Sequence, residues 1–228
     1  MNADNRSLWW DWTLACGLGG AIGLGFGGMV ASALFRLFDG AGFAIASSIV
    51  VFGLVAGPTL AFFQHRVLGR IFPYLRRGTW VAWTAGGCVV AWIATILLPV
   101  TSDSLLEGRS WIVLGIAAAP LVGVIGVLVG LGQAVALNEW ASRAVLWAIA
   151  TVIGWVAAAA FLWWVHGAVE ELPVAAREAI GVLVYLVGGL LVGALTGWVA
   201  PTLVMRDAAA EQYTHDALGG IGSIDLSE

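Results

Sequence analysis

Charge is scarce in this sequence, and one basic residue type is missing. Charged residues make up 11% of the 228 residues, and all ten basic residues are arginine, so the chain contains no lysine. A water-soluble protein of this length needs more polar surface to cover its core. With a net charge of -4, the chain also offers no basic face for nucleic acid. We therefore expect neither a soluble globular protein nor a nucleic-acid-binding protein.

Reactive side chains are also few. The two cysteines, Cys16 and Cys88, lie inside apolar stretches, and the three histidines, His65, His166 and His215, lack metal-ligand spacing. The sequence contains no nucleophile elbow, phosphate-binding loop, zinc-protease motif or dinucleotide fingerprint. We therefore expect no catalytic residue, no metal site and no bound cofactor, and we predict that the chain is not an enzyme.

Long apolar stretches dominate the sequence. Hydrophobic residues account for 61% of the chain, and the mean hydropathy is +0.95. About 20 apolar residues are needed to cross a bilayer as a helix. Six stretches qualify: roughly 10–37, 41–63, 79–100, 111–137, 143–165 and 178–204. Because a helix satisfies its own backbone amides in lipid, we predict an all-α integral membrane six-helix bundle.

Arginines set the predicted orientation. The segment between the second and third stretches is rich in arginine, whereas the next segment has Asp103 and Glu107 against Arg109. The positive-inside rule makes the arginine-rich segment cytoplasmic, with both termini on that side. We expect a multi-pass protein of the bacterial inner membrane. Its regions are a cytoplasmic N-terminus at 1–9, a membrane domain at 10–205 and a cytoplasmic tail at 206–228.

A glycine spacing indicates an internal repeat. Each even-numbered span contains a Gly-X-X-X-Gly pair, and the pairs are Gly53 and Gly57, Gly126 and Gly130, and Gly189 and Gly193. The first glycine follows Gly19, Ala91 or Gly154 of the preceding span by 34, 35 and 35 residues respectively. We predict three two-helix hairpins, at about 10–66, 79–138 and 143–205. Hairpins that enter from one side can be related by a pseudo-threefold axis, with the glycines at helix contacts.

Two further sets of residues follow this alignment. Cys16, Cys88 and Thr151 take equivalent positions, either as a ring of weak donors or as small buried side chains. Tryptophans near span ends fit an interfacial belt in which the indole N–H contacts water, including Trp12 and Trp147. The other members of the predicted belt are Trp9, Trp10, Trp80, Trp83, Trp111, Trp140, Trp163 and Trp164.

The remaining polar residues fall into two groups. We expect Gln64, Gln133, Thr59 and Thr196 to bond helices together rather than bind substrate. The arginines of the predicted cytoplasmic loop are candidates for contact with anionic lipid headgroups or an acidic partner, although orientation alone also explains them. These arginines are Arg66, Arg70, Arg76 and Arg77.

One stretch carries a resemblance. The residues from Gly130-Leu-Gly-Gln133 through Asn138-Glu-Trp140 to Gly154-Trp155 resemble a group of uncharacterised bacterial polytopic membrane proteins with Gly, Gln and Gly-Trp helical-hairpin repeats. The likeness is strongest over 126–200. Members of that group typically follow the glutamine with Leu-Arg-Arg, whereas Asn138-Glu-Trp140 stands there in this chain. The resemblance implies a hairpin-repeat membrane fold and no specific activity.

Three functions remain open from the sequence. The leading hypothesis is a non-catalytic accessory or scaffolding subunit of a membrane complex, such as a respiratory or photosynthetic assembly. The alternative is a channel or carrier for a neutral or lipophilic small molecule. A lipid enzyme that uses Arg76, Arg77 and His65 would need a nucleophile or base that the sequence does not show. The expected partners are membrane lipid and either other membrane subunits or further copies of the chain.

Overall fold

Long helices form nearly all of the described chain. The computed structural model describes residues 3–37, 42–97, 111–169 and 172–203. The helices are α1 (Ala3–Gly19), α2 (Gly27–Leu37), α3 (Gly42–Ile71), α4 (Arg77–Leu97), α5 (Trp111–Asn138), α6 (Ala144–Val169) and α7 (Val174–Gly197). No β-strand occurs in these ranges, so the predicted all-α class is confirmed for the described chain. The predicted tail at 206–228 and the acidic segment with Asp103 and Glu107 lie outside the described residues.

The first long helix contains a π-helical segment. Residues Gly20–Phe26 form this segment and join α1 to α2 without a break. Glycine is required here by close approach on two sides. A Cβ atom on Gly20 would lie 2.7 Å from the Tyr185 carbonyl oxygen on α7, and one on Gly23 would lie 3.0 Å from that of Ala56 on α3. The glycine-rich helix is therefore packed between two neighbours.

Several helices extend beyond the apolar stretches. The first begins at Ala3 rather than near residue 10, and α3 continues to Ile71 although its apolar stretch ends near residue 63. Backbone hydrogen bonding continues past the point where side chains become polar, so a hydropathy limit is not a helix limit. Arg66 and Arg70 consequently lie on α3, and only 72–76 form the turn.

The helices make a closed ring in chain order. Each long helix packs against the next along the chain, and α7 packs against α1. Among the described residues, three segments are long and apolar enough to cross a membrane by length and composition: Asp4–Val30, Ala144–Val169 and Ile180–Thr202. Within α5, the part Val122–Asn138 is a shorter apolar stretch.

The core is concentrated at one end of the ring. The turns at 72–76 and 139–143 meet there through stacked Tyr74 and Trp140, whose rings lie 5.9 Å apart, and we call this the turn end. Phe72 and Leu75 of the first turn are buried in the main apolar cluster. A ring nitrogen of His65 lies 2.7 Å from the Leu75 carbonyl oxygen and holds the turn against α3. The predicted polar loop is thus a short turn with an apolar interior.

Candidate functional site

The second glycine of each Gly-X-X-X-Gly pair packs closely against the helix that follows it around the ring. A Cβ atom added to it would meet the Cβ atom of one member of the Cys16, Cys88 and Thr151 set. The contacts pair Gly57 with Cys88 at 3.0 Å, Gly130 with Thr151 at 3.1 Å and Gly193 with Cys16 at 2.7 Å. The two cysteines and the threonine thus take part in equivalent helix contacts.

The first glycine of each pair, one helical turn before the second, makes a similar close contact with a neighbouring helix. Their added Cβ atoms would approach backbone atoms of the same following helices. These contacts pair Gly53 with Val89 at 3.2 Å, Gly126 with Val152 at 2.9 Å and Gly189 with Gly17 at 3.0 Å. Backbone cannot give way as a side-chain tip does, so any larger residue would push two helices apart.

A chain of polar side chains crosses the interior of the ring. Gln133 Nε2 donates to Gln64 Oε1 at 3.0 Å, and Trp147 Nε1 donates to Gln133 Oε1 at 2.9 Å. Gln64 Nε2 makes a longer contact of 3.4 Å with the Cys16 sulfur. All four residues are buried. These contacts between polar side chains link α1, α3, α5 and α6. Bonding helices together is the role that we expect for the two glutamines.

Three tryptophans fill the space beside this chain. Trp12, Trp80 and Trp147 are at most 1% exposed, and Trp147 contacts the other two rings edge-on at 4.9 and 6.3 Å. Trp12 Nε1 donates to Thr196 Oγ1 at 2.8 Å. The belt prediction is therefore wrong for these three residues, because their indoles pack in the core and two of their N–H groups bond to buried side chains. Trp83, at 46% exposure, does lie on the outer surface.

Some buried donors have no partner among the described residues. They are Trp80 Nε1, Thr84 Oγ1 and Thr13 Oγ1. Thr151 and Thr196, by contrast, each donate to the carbonyl four residues earlier, at 2.8 and 2.7 Å. Trp12 and Trp147 are thus held by ring packing and an indole hydrogen bond each, whereas Trp80 is held in the cluster by packing.

One interior cavity among the described residues is small. A cavity of about 30 Å³ lies between α1, α6 and α7, beside Cys16 and Trp155, and its lining is apolar. That volume corresponds to about two or three water positions. Small residues therefore bring the helices together rather than leave a passage at this level.

A larger apolar groove lies on the outside of the ring between α4 and α5. Its volume is about 540 Å³, and its lining includes Trp83, Gly86, Leu131 and Val135. A Cβ atom on Gly86 would meet no other atom within 4 Å, so packing inside the chain does not require glycine there. The groove is a surface feature that the sequence did not indicate.

The predicted arginine set separates into distinct environments. Arg70 donates to Asp11 on α1 at 2.6 Å, and both side chains are largely exposed. Arg66 and Arg77 lie over the same ring, that of Phe62. Arg76 is exposed on the turn. The four arginines therefore differ in their contacts.

Known proteins provide no match from which a function could be transferred to this arrangement. No protein-family model, curated protein or solved structure matches the chain. Among the described residues, no group of three or more His, Cys, Asp or Glu side chains is placed to hold a metal ion.

Proposed function

We propose that the chain crosses the bacterial inner membrane six times as three helical hairpins about a pseudo-threefold axis, with both termini in the cytoplasm. The equivalent glycine contacts support this arrangement, since each pair approaches the next hairpin at the same two levels. Closure of α7 onto α1 supplies the third of these contacts. Reporter fusions after the turns at 72–76 and 139–143 test the orientation, and a periplasmic signal from either turn would overturn it.

Within that bundle, we infer the role of a non-catalytic accessory or scaffolding subunit. The observation that carries this inference is the outer groove with its open Gly86. A glycine inside a helix costs about 1 kcal/mol relative to alanine. No internal contact offsets that cost at Gly86 or at Gly181, and of these two glycines Gly86 lines the groove. In membranes, glycine permits close approach of another helix. A transmembrane helix of a neighbouring subunit fits this groove.

The interior supports the same role. The polar side chains of α1, α3, α5 and α6 bond to one another, and the tryptophan cluster fills the space beside them. A carrier would need interior volume for its solute, and the cavity beside Cys16 measures about 30 Å³. The molecule therefore fits a rigid body that presents its outer surface, and the channel or carrier is the weaker candidate.

Native purification tests the role directly. The protein is extracted from its own membrane in mild detergent, and the mass and composition of the intact particle are determined. We expect a defined complex with other membrane subunits at fixed stoichiometry. A lone monomer or a homo-oligomer would overturn the accessory role.

A pair of glycine variants locates the partner. Gly86→Leu fills the outer groove, whereas Gly181→Leu adds the same side chain on α7, where a Cβ atom also meets nothing within 4 Å. We expect Gly86→Leu to lose the copurifying subunit and Gly181→Leu to keep it, with both variants as stable as the parent. Retention of the partner by Gly86→Leu would show that the groove is not the contact.

A further inference from the structure

Two guanidinium groups converge on one aromatic ring at the turn end, between α3 and α4. The guanidinium carbon of Arg66 lies 5.3 Å from the centre of the Phe62 ring, and that of Arg77 lies 5.7 Å from it. Both arginines are exposed, and Phe62 is 40% exposed. Cation–π attraction to the ring stabilises each charge. Because both guanidinium groups contact the same ring, one anion can lie close to both.

Nothing in the described chain supplies that anion. Neither Arg66 nor Arg77 pairs with a carboxylate within the described residues, whereas nearby Arg70 is paired with Asp11 at 2.6 Å. A guanidinium that stacks on a ring keeps its N–H donors at its edge. Those donors match the oxygens of a phosphate, which arginine binds with two parallel hydrogen bonds. The pair is thus a cationic site with unused donors.

An apolar stripe leads away from this pair along α3. Leu54, Pro58, Phe62 and Arg66 follow one another at intervals of four residues, so each lies beside the next on the helix surface. Leu54 is 55% exposed and Phe62 is 40% exposed. The stripe therefore joins a cationic end to an exposed apolar surface, which is the chemistry that a phospholipid complements.

We propose that Arg66, Arg77 and Phe62 bind the phosphate headgroup of an anionic phospholipid, and that one acyl chain lies along Pro58 and Leu54. The proposal rests on the membrane setting proposed above and is independent of the accessory role. Free phosphate shares the headgroup chemistry but has no chain to contact the stripe. The lipid should therefore bind more tightly than its headgroup alone.

The test is native mass spectrometry of the full chain in detergent, titrated with phosphatidylglycerol or with phosphatidylcholine of the same acyl chains. We expect the unmodified protein to retain phosphatidylglycerol preferentially. The double variant Arg66→Gln/Arg77→Gln should weaken that binding about thirty-fold. This equals about 2 kcal/mol, from about 1 kcal/mol per arginine and about 1.4 kcal/mol per tenfold change. Binding of phosphatidylcholine should not change.

The matched control is Arg76→Gln/Arg143→Gln, which removes the same charge from two exposed turn-end arginines. Its phosphatidylglycerol binding should stay within about threefold of the parent, because separated exposed charges are screened. If both double variants lose phosphatidylglycerol binding equally, the lipid is held by diffuse charge attraction and not by this site, which would overturn the proposal. Inorganic phosphate that displaces the lipid at equal concentration would also overturn it.

Two further measurements check that a loss of lipid binding does not come from misfolding. Arg66→Lys/Arg77→Lys keeps both charges but removes the planar guanidinium groups. We expect this variant to disturb the fold least and to bind phosphatidylglycerol with an affinity between those of the parent and the glutamine variant. Tryptophan fluorescence during unfolding checks that each variant is folded. Because lipid binding is measured on the isolated chain, loss of a partner subunit during purification leaves this result unaffected. The proposed lipid site and the accessory role therefore fail independently.

Discussion

Replacing Gln133 by leucine should destabilise the bundle through the partners that it leaves behind. Gln133 accepts from Trp147 at 2.9 Å and donates to Gln64 at 3.0 Å, and the three residues are at most 2% exposed. Gln133→Leu therefore leaves the Trp147 N–H and the Gln64 carbonyl oxygen buried without a partner. Each unmet group costs about 1–3 kcal/mol. We expect a loss of at least about 2 kcal/mol.

A double-mutant cycle isolates the bond between the two glutamines. Gln64→Leu leaves the Gln133 side-chain N–H unpaired. The other contact that it removes, from Gln64 to the Cys16 sulfur, is long at 3.4 Å. We therefore expect a smaller loss of unfolding free energy, about 1–2 kcal/mol. When both glutamines are leucine, only the Trp147 N–H remains unmet. The double variant should therefore be more stable than the sum of the single losses predicts. Hydrogen bonds between membrane helices couple by about 0.6 kcal/mol on average and up to about 1.7 kcal/mol.

The assay is reversible unfolding in mixed detergent micelles, followed by tryptophan fluorescence. Val135→Leu is the control, because this residue on the same helix is 48% exposed and has no side-chain hydrogen bond to lose. It should leave the free energy of unfolding within about 0.5 kcal/mol of the parent. The reasoning is refuted if Gln133→Leu behaves like Val135→Leu, or if the two single losses add without coupling.

The same assay tests two further pairs of variants. Gly193→Ala should lower the free energy of unfolding by about 1–3 kcal/mol, since its Cβ atom would lie 2.7 Å from the Cys16 Cβ atom, whereas Gly86→Ala has open space and should raise it by up to about 1 kcal/mol. Trp147→Phe should cost more than Trp80→Phe, because both indoles are fully buried but only Trp147 loses an indole hydrogen bond. Equal effects within either pair would contradict these contacts.

Hydropathy and glycine spacing go far toward the fold. Runs of about 20 apolar residues predict the long helices, and the pairs such as Gly53 and Gly57 lie where neighbouring helices approach closely. The helix limits were harder to predict. Polar residues such as Arg66 and Arg70 continue α3 beyond its apolar stretch, because the backbone stays helical after the side chains change. Composition therefore gives the apolar part of a helix rather than its full length.

The tryptophans show what a local pattern does not decide. Trp12 and Trp147 stand near the ends of apolar stretches, where an indole suits an interface as well as a core. Their burial depends on partners elsewhere in the chain: Thr196 is 184 residues from Trp12, and Gln133 belongs to a different helix from Trp147. Only packing between helices distinguishes the two outcomes. The outer groove was missed for the same reason, since its two walls come from α4 and α5.

One of the three proposed repeat units differs from the other two in a buried hydrogen bond. Gln133 and Thr196 each stand seven residues after the first glycine of their unit, and each accepts from a tryptophan of the following helix. The remaining unit has Leu60 at that position and Thr84 in place of the tryptophan. A leucine side chain offers no acceptor, and the Thr84 hydroxyl is without a partner among the described residues. In that unit Gln64, one turn further along α3, bonds to Gln133 instead, so the polar chain crosses the interior where the repeat is broken.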